Sequence, residues 1–305
     1  MLANIRSHPD IDFNLARMEK IVQAAHEQHA DILVFPELCI SGYVWDNETS
    51  GKVVGHLHAA DNREPGVKLV LDRIAGGLTE AGNGLNMVVF GNVRAGDNKS
   101  VLHDTAFVMA PGVDYNNLFY DKIFLTPLEK LYFRRGADTR LVIDSPWGRM
   151  GFMVCYDLCF VDLGKRYAFE DEVDVIIVPA AWRMEALRRY PLLNLRIDNY
   201  YQFIWILMNS ALAAHNQVWS IAANCVGEYE KSGGRFCGES GIWGPSGLPL
   251  VQASDNEEEL LIVRNIEIRG HMRHQATEDF DYSLDFDEVY RDIRDLKPRH
   301  FNLGQ

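Results

Sequence analysis

Three side chains stand where buried strands stop or are interrupted, and each is of a type that takes part in bond cleavage. Cys155 closes the apolar run MGFMVC and is followed by Tyr156 and Asp157. Lys122 sets an ammonium group inside FYDKIFLTP, and Glu37 follows the proline that ends the apolar run in VFPELCISGYVW. Taken singly, each has a plain reading. A strand-end cysteine is a small buried hydrophobe, a strand lysine packs its stem and solvates its head, and a loop glutamate caps a turn. Together they are the three groups that cleavage of an amide by a thiol requires. A thiol is only a few per cent ionised at neutral pH, so it needs a base or a cation beside it. Amides resist water because the carbonyl is resonance-stabilised and the amine leaves poorly, and a covalent thioester splits that difficult step into two easier ones. A donor placed at the developing oxyanion is worth about 10² to 10³ in rate. The carboxylate must also return a proton to the departing amine. Burial raises its pKa and the lysine lowers it.

Strands have to hold these groups, with helices behind them. Leu15, Met18, Val22 and Ala25 recur at three and four, which predicts an amphipathic helix from Asp12 to His29, and the strand ILVF (32–35) leads to Glu37. A second helix opens at Pro65, carries Leu69, Ile74 and Leu78, and breaks at Gly82 and Gly84. The segments 85–93, 100–110 and 117–123 read as consecutive strands joined by the turns AGDNKS and PGVD, hence antiparallel. A hairpin over 141–155 ends at Cys155, a helix follows over 160–171, and DVIIVPAAW (174–182) repeats the pattern of apolar run, proline and loop. A long helix is expected from Pro191 to Asn216, then strands at 217–225, 239–244 and 259–268. Alternating helices and strands with antiparallel pairs among them place the chain in the α/β (α+β) class, with mixed sheets, outer helices, and two sheets packed face to face. No linker or internal repeat divides the chain, so residues 1–270 form one domain and 271–305 a C-terminal extension. Residues 276–297 carry eight acids against three bases, but Val289, Ile293 and Leu296 fall at helical spacing and predict a short docked helix.

Composition bounds the partners. The 305 residues are 47 % hydrophobic and 24 % charged, with a formal net charge of −13. That balance excludes nucleic acid, which needs clustered Lys and Arg to displace counterions, and leaves a small molecule or a protein. Five cysteines, at 39, 155, 159, 225 and 237, are an odd number without a CxxC pair and fit free thiols in a reducing compartment. The N-terminus lacks the zones of a signal peptide, and no run approaches the ~18 apolar residues of a membrane span. A soluble, cytoplasmic protein without membrane contact is expected.

Several blocks in order carry a resemblance: VFPELCISGY around Glu37, YDKIFLTP around Lys122, GFMVCYDLCF around Cys155, then DVIIVPAAW, HNQVWSIAANCVGE and GESGIWGPSG. Over roughly residues 3–270 the sequence resembles the nitrilase, or carbon–nitrogen hydrolase, superfamily in its amidase-like branch. The resemblance implies a four-layer α-β-β-α sandwich that dimerises, or assembles further, through its helices, and a hydrolase that uses no cofactor. It assigns Glu37 as general base and acid, Cys155 as nucleophile, and Lys122 with the backbone N–H of Tyr156 as oxyanion stabilisers. Glu129, in PLEKLYF, matches a second glutamate that positions substrate and Lys122. The chain departs from the pattern after the nucleophile, where Cys159, Val161 and Asp162 stand in place of an arginine, a proline and an acid. Arg183, beside Trp182, is either a substitute for that arginine or a solvent-facing loop charge. LAAHN (212–216) replaces a common arginine and glutamate, and MLANI makes a short first strand, as if the chain starts late.

Tyr43, Trp45, Tyr132, Trp182 and Tyr190 fall in loops after strands, where pocket walls lie, although aromatics also serve in cores. His56 with His58, and His271 with His274, have spacings a metal can use, but they lack acidic or thiol partners, so no metal is expected. The leading expectation is hydrolysis of a primary amide or N-carbamoyl compound with release of ammonia. CYD in place of the CWE common in nitrilases favours amide over nitrile. Nitrile hydrolysis and acyl transfer by the same three groups remain alternatives, as does a non-catalytic scaffold that has kept the fold.

Overall fold

The computed structural model describes residues 1–43, 50–137, 139–228 and 234–269. Trp45, His271, His274 and the acidic segment 276–297 lie outside the described residues.

Strands are numbered in chain order. The first sheet is built from β1 (Leu2–Asn4), β2 (Ile32–Val34), β3 (Met87–Ala95), β4 (Leu102–Met109), β5 (Phe119–Asp121) and β16 (Glu259–Leu261), in the order β16-β1-β2-β3-β4-β5. β1, β2 and β3 run parallel, whereas β3, β4 and β5 are antiparallel neighbours, as the turn sequences between them require. The second sheet comprises β6 (Val142–Ser145), β7 (Gly148–Phe152), β8 (Val175–Ala180), β11 (Trp219–Asn224), β14 (Gly241–Trp243) and β15 (Pro249–Gln252), in the order β15-β14-β11-β8-β7-β6. Its centre, β7-β8-β11, is parallel and buried on both faces, which accounts for the unbroken apolar run VIIVPA.

Side-chain alternation sets the layers. Met87 and Val89 of β3, with Ala106 and Val108 of β4, join the core between the sheets, where Met150, Phe152 and Ile177 meet them. Val88 and Phe90, with Phe107 and Met109, point the other way into the core beneath α1 (Ile11–Glu27) and α3 (Pro65–Gly76). Helices α4 (Val161–Phe169) and α5 (Tyr200–Asn216) cover the second sheet. Four layers result, α-β-β-α. α1 starts where the Asp10 carboxylate accepts the Phe13 N–H at 2.9 Å, and α3 starts at Pro65.

Several expectations about elements change: α3 stops at Gly76, short of Leu78 and of the glycines at 82 and 84, and the last strand is confined to Glu259–Leu261. Leu69 is exposed, because the stripe that α3 buries is Val67, Leu71 and Ile74; Leu69 lies about 200° round the helix from Val67. The helix expected from Pro191 begins only at Tyr200. Before it, β9 (Arg188–Tyr190) and β10 (Leu195–Ile197) form a hairpin around a single turn, Pro191–Leu193, that Asn194 closes at φ 48°. Other elements appear that periodicity did not show: α2 (Ser50–Ala59), the hairpin of β12 (Val226–Glu228) with β13 (Arg235–Cys237), and β15. Among the described residues no helix is long and apolar enough to cross a membrane.

Candidate active site

The carboxyl ends of β2, β7 and β8 meet at one end of the sandwich, where ligands bind in open parallel sheets. Glu37 follows β2. Its chain lies against Gly91 of β3, whose N–H donates to the Pro36 carbonyl at 3.1 Å and whose carbonyl accepts the Cys39 N–H at 2.9 Å. A side chain at 91 would place its Cβ 2.5 Å from Glu37 Cα, so only glycine admits this approach. Across the interface, the Glu37 N–H donates to the Ala180 carbonyl at 3.3 Å, and Glu37 Oε2 accepts the Ala181 N–H at 2.7 Å. The glutamate is thus fixed to both sheets.

Lys122 follows β5 and is fully buried. Its Nζ donates to Glu37 Oε1 at 2.6 Å, to Glu129 Oε1 at 2.8 Å and, more loosely, to Asp104 Oδ2 at 3.3 Å. Glu129 is held in turn by the Thr126 N–H on Oε2 at 2.8 Å and by the Tyr43 hydroxyl on Oε1 at 3.1 Å. Burial alone would discharge the lysine, but Glu129 and Glu37 reverse that and push its pKa well above the ordinary range. For Glu37, burial works upward, yet the Lys122 charge and hydrogen bonds from Asp104, Lys122 and Cys155 bring its pKa below 4.5. The oxygens of Glu37, Asp104 and Glu129 lie close enough to hold a metal ion. The Lys122 ammonium sits among them and supplies the cation instead.

Cys155 heads a short 3-10 turn, Cys155–Cys159, at φ 46°. That left-handed backbone costs a non-glycine residue about 1–2 kcal/mol and aims the side chain out of the line of β7. Asp157 holds the turn in place. Its Oδ2 accepts the Val154 N–H and the Tyr120 hydroxyl, each at 2.9 Å, and its Oδ1 accepts the Phe124 N–H at 2.8 Å. The Cys155 turn is thereby pinned to the first sheet. Burial, followed by the negative charge of Glu37, raises the Cys155 pKa, so the resting group is a thiol beside the Glu37 carboxylate.

Cys155 and Glu129 open onto a cavity of about 660 Å³, while Glu37 and Lys122 stay fully buried beside them. Tyr43, Tyr156, Trp182 and Arg183 line it, as do Tyr200, Tyr201, Ile204 and Met208 from α5. Trp182 is anchored by its N–H to Asn224 Oδ1 at 2.7 Å and by its indole N–H to the Tyr201 carbonyl at 2.8 Å. Tyr132 instead packs into the core with Leu102, Leu125 and Phe236, and Tyr190 lies exposed on β9 away from the cavity. His56 Nε2 meets the Ser41 carbonyl at 2.7 Å. Sequence reasoning passed over Asp104 and the α5 residues. The signal for Asp104 was a charge inside LHDTAFVM in phase with the inward Ala106 and Val108.

A four-layer sandwich with a thiol, a buried ammonium and two glutamates at its sheet ends defines a hydrolase of non-peptide carbon–nitrogen bonds. The chain belongs to the carbon–nitrogen hydrolase family, whose model matches residues 2–266, within the nitrilase superfamily. A nitrilase of Pyrococcus abyssi is 28 % identical over 87 % of this chain and 91 % of its own. An N-carbamoylputrescine amidase of Solanum lycopersicum is 25 % identical over 84 % of this chain and 81 % of its own. Among solved structures, an amidase from Nesterenkonia AN1 superposes with a TM-score of 0.69 at 22 % identity, covering 96 % of this chain and 95 % of that one, which supports the fold.

Proposed function

We propose that the protein hydrolyses a primary amide or N-carbamoyl compound through a thioester on Cys155, releasing ammonia. The observation that carries this reading is the Lys122 ammonium, clamped between Glu37 and Glu129 at 2.6 and 2.8 Å beside a buried thiol that opens onto a cavity. Glu37 takes the thiol proton as sulfur attacks the carbonyl carbon. The carbonyl π electrons move to oxygen, and the oxyanion is met by Lys122 and the Tyr156 N–H. The longest lysine contact, 3.3 Å to Asp104, is the one that can be released toward it. The oxyanion then collapses, the carbon–nitrogen bond breaks, and Glu37 returns the proton to the leaving nitrogen. Water, deprotonated by Glu37, attacks the thioester; the acid leaves and sulfur regains its proton. Glu129 positions Lys122 throughout.

Tyr200, Tyr201, Ile204, Met208 and Trp182 make the cavity wall largely apolar, which suits an acyl group bulkier than acetyl, with Arg183 available to a polar end. A cytoplasmic dimer fits this chemistry. The cysteines are free thiols, and Phe203 and Leu207 of α5 leave an apolar face that a second copy can cover.

The test is mass spectrometry of the Cys155 adduct after incubation with a library of primary amides, N-carbamoyl compounds and nitriles, together with ammonia release. Acyl adducts from amides or carbamoyl compounds, and no ammonia from Cys155→Ala, are expected. Adducts from nitriles alone would replace amide by nitrile hydrolysis. Absence of any adduct or turnover would return the protein to a scaffold role.

A further inference from the structure

Three buried carboxyl groups converge on one buried ammonium: Glu37, Asp104 and Glu129 around Lys122. If all three were ionised, the cluster would carry two uncompensated negative charges, which a buried site does not tolerate. One carboxyl must therefore hold a proton, and the donors show which. Glu129 accepts from Lys122, the Thr126 N–H and the Tyr43 hydroxyl. Glu37 accepts from Lys122 and the Ala181 N–H. Asp104 has only the 3.3 Å contact from Lys122 on Oδ2, and its buried Oδ1 has no donor facing it.

We propose that Asp104 is a neutral carboxylic acid in the resting enzyme, a positioning residue that donates its proton in a hydrogen bond to Glu37 and so keeps Glu37 ionised as the base. Burial and the adjacent charge of Glu37 act in the same direction on Asp104, and a carboxyl oxygen of each lies within 4.8 Å of the other. The other groups facing this cluster are Tyr43 and Cys155. On the opposite face of β4, His103 belongs to a separate cluster with Arg94 and Asp121. A neutral Asp104 has a further use. Its carbonyl oxygen is a weak acceptor, so Lys122 can turn that N–H toward the oxyanion, whereas an ionised Asp104 would hold it back. With the proton lost, Glu37 loses a donor and Lys122 gains a third anionic partner that competes with the oxyanion for its N–H.

The second part rests on the reading of Glu37 as base; the protonation itself is measured without substrate. Infrared difference spectra of unlabelled protein and protein carrying carboxyl-¹³C aspartate are recorded at about pH 8.5, above the range in which Asp157 (about 6) and Glu239 (about 7) ionise. A carbonyl stretch of protonated aspartic acid that shifts on labelling and vanishes in Asp104→Asn is expected. No such band, or a band that survives the substitution, would overturn the proposal. On the kinetic side, the asparagine amide also offers one acceptor to Lys122 and one donor to Glu37, so kcat/KM stays within about threefold near neutrality, and the alkaline limb set by Asp104 disappears. Asp104→Leu removes the donor and loses about tenfold to a hundredfold, the usual worth of a hydrogen bond to a charged group. Equal losses in both variants, or an alkaline limb retained in Asp104→Asn, would count against it. Failure of amide turnover altogether would sink the amidase reading and leave the infrared result standing.

Discussion

Gly91→Ala tests whether the backbone under Glu37 sets the rate. The new methyl carbon would lie 2.5 Å from Glu37 Cα, 2.6 Å from the Leu38 nitrogen and 2.8 Å from the Pro36 oxygen, all of them main-chain atoms. Ordinary contact begins at 3.4 Å, so the loop has to retreat by about 0.9 Å, the difference between 3.4 and 2.5 Å. The Glu37 carboxylate bonds Lys122 at 2.6 Å and Ala181 at 2.7 Å, and a shift of that size breaks one of them. A misplacement near 1 Å costs about 10²-fold in rate, and overpacking costs about 1–3 kcal/mol of stability. The cavity wall at Trp182 and Tyr200 belongs to other elements, so KM should hold while kcat falls. Ammonia release gives the two constants, denaturant unfolding gives the stability, and iodoacetamide labelling of Cys155 should slow alongside kcat. Gly96→Ala is the control, because its nearest contact is an ordinary 3.5 Å to His103 Nε2. Parental kcat in Gly91→Ala, or an equal loss in Gly96→Ala, would refute the reasoning.

Iodoacetamide should modify Cys155 faster than Cys159, although Cys155 is buried and Cys159 is half-buried; labelling in order of exposure would show that Glu37 and Lys122 do not activate the thiol. Glu37→Gln keeps the shape and removes the base, so kcat should drop by about 10² to 10⁴; turnover at the parental rate would leave the carboxylate without a role. Asp157, driven by burial from 3.8 to about 6, binds its proton more tightly folded than unfolded. Stability therefore falls as pH rises through that window, by something on the order of 3 kcal/mol. Asp157→Asn should flatten this slope between pH 4 and 7, and parallel curves for the two proteins would be inconsistent with it. Tyr43→Phe removes one donor from Glu129 and should lower kcat by about threefold to tenfold, with the fold intact; no change in kcat would mean that Glu129 does not need the hydroxyl.

Much of the fold was legible because its strands are apolar in patterns that few other structures share. The runs ending at Val34 and Phe152 lead to Glu37 and Cys155, and the strand that ends at Asp121 leads to Lys122, which meets Glu37 and Glu129. Elements governed by local backbone choices were not legible. RRYPLLNLRI has helical spacing and a proline at an apparent first turn, but Asn194 adopts a left-handed conformation and folds it back as a hairpin. SGKVVGHLHA, with two glycines and two histidines, is a poor helix by propensity and is helical all the same. Tyr132 shows a limit of another kind, since sequence places a ring near a site without saying which side of the loop faces the cavity. Asp104 was hidden by alternation itself, because a polar residue on a strand is ordinarily on the wet face, and only the register with Ala106 and Val108 turns it inward.

Glu37 and Lys122 come from one sheet and Cys155 from the other, and the bonds joining them cross the interface at Ala180, Ala181 and Asp157. Glu37 and Cys155 therefore come within reach of each other only when the two sheets are docked. Whatever chemistry the thiol performs is a property of the docked pair of sheets and of neither sheet alone.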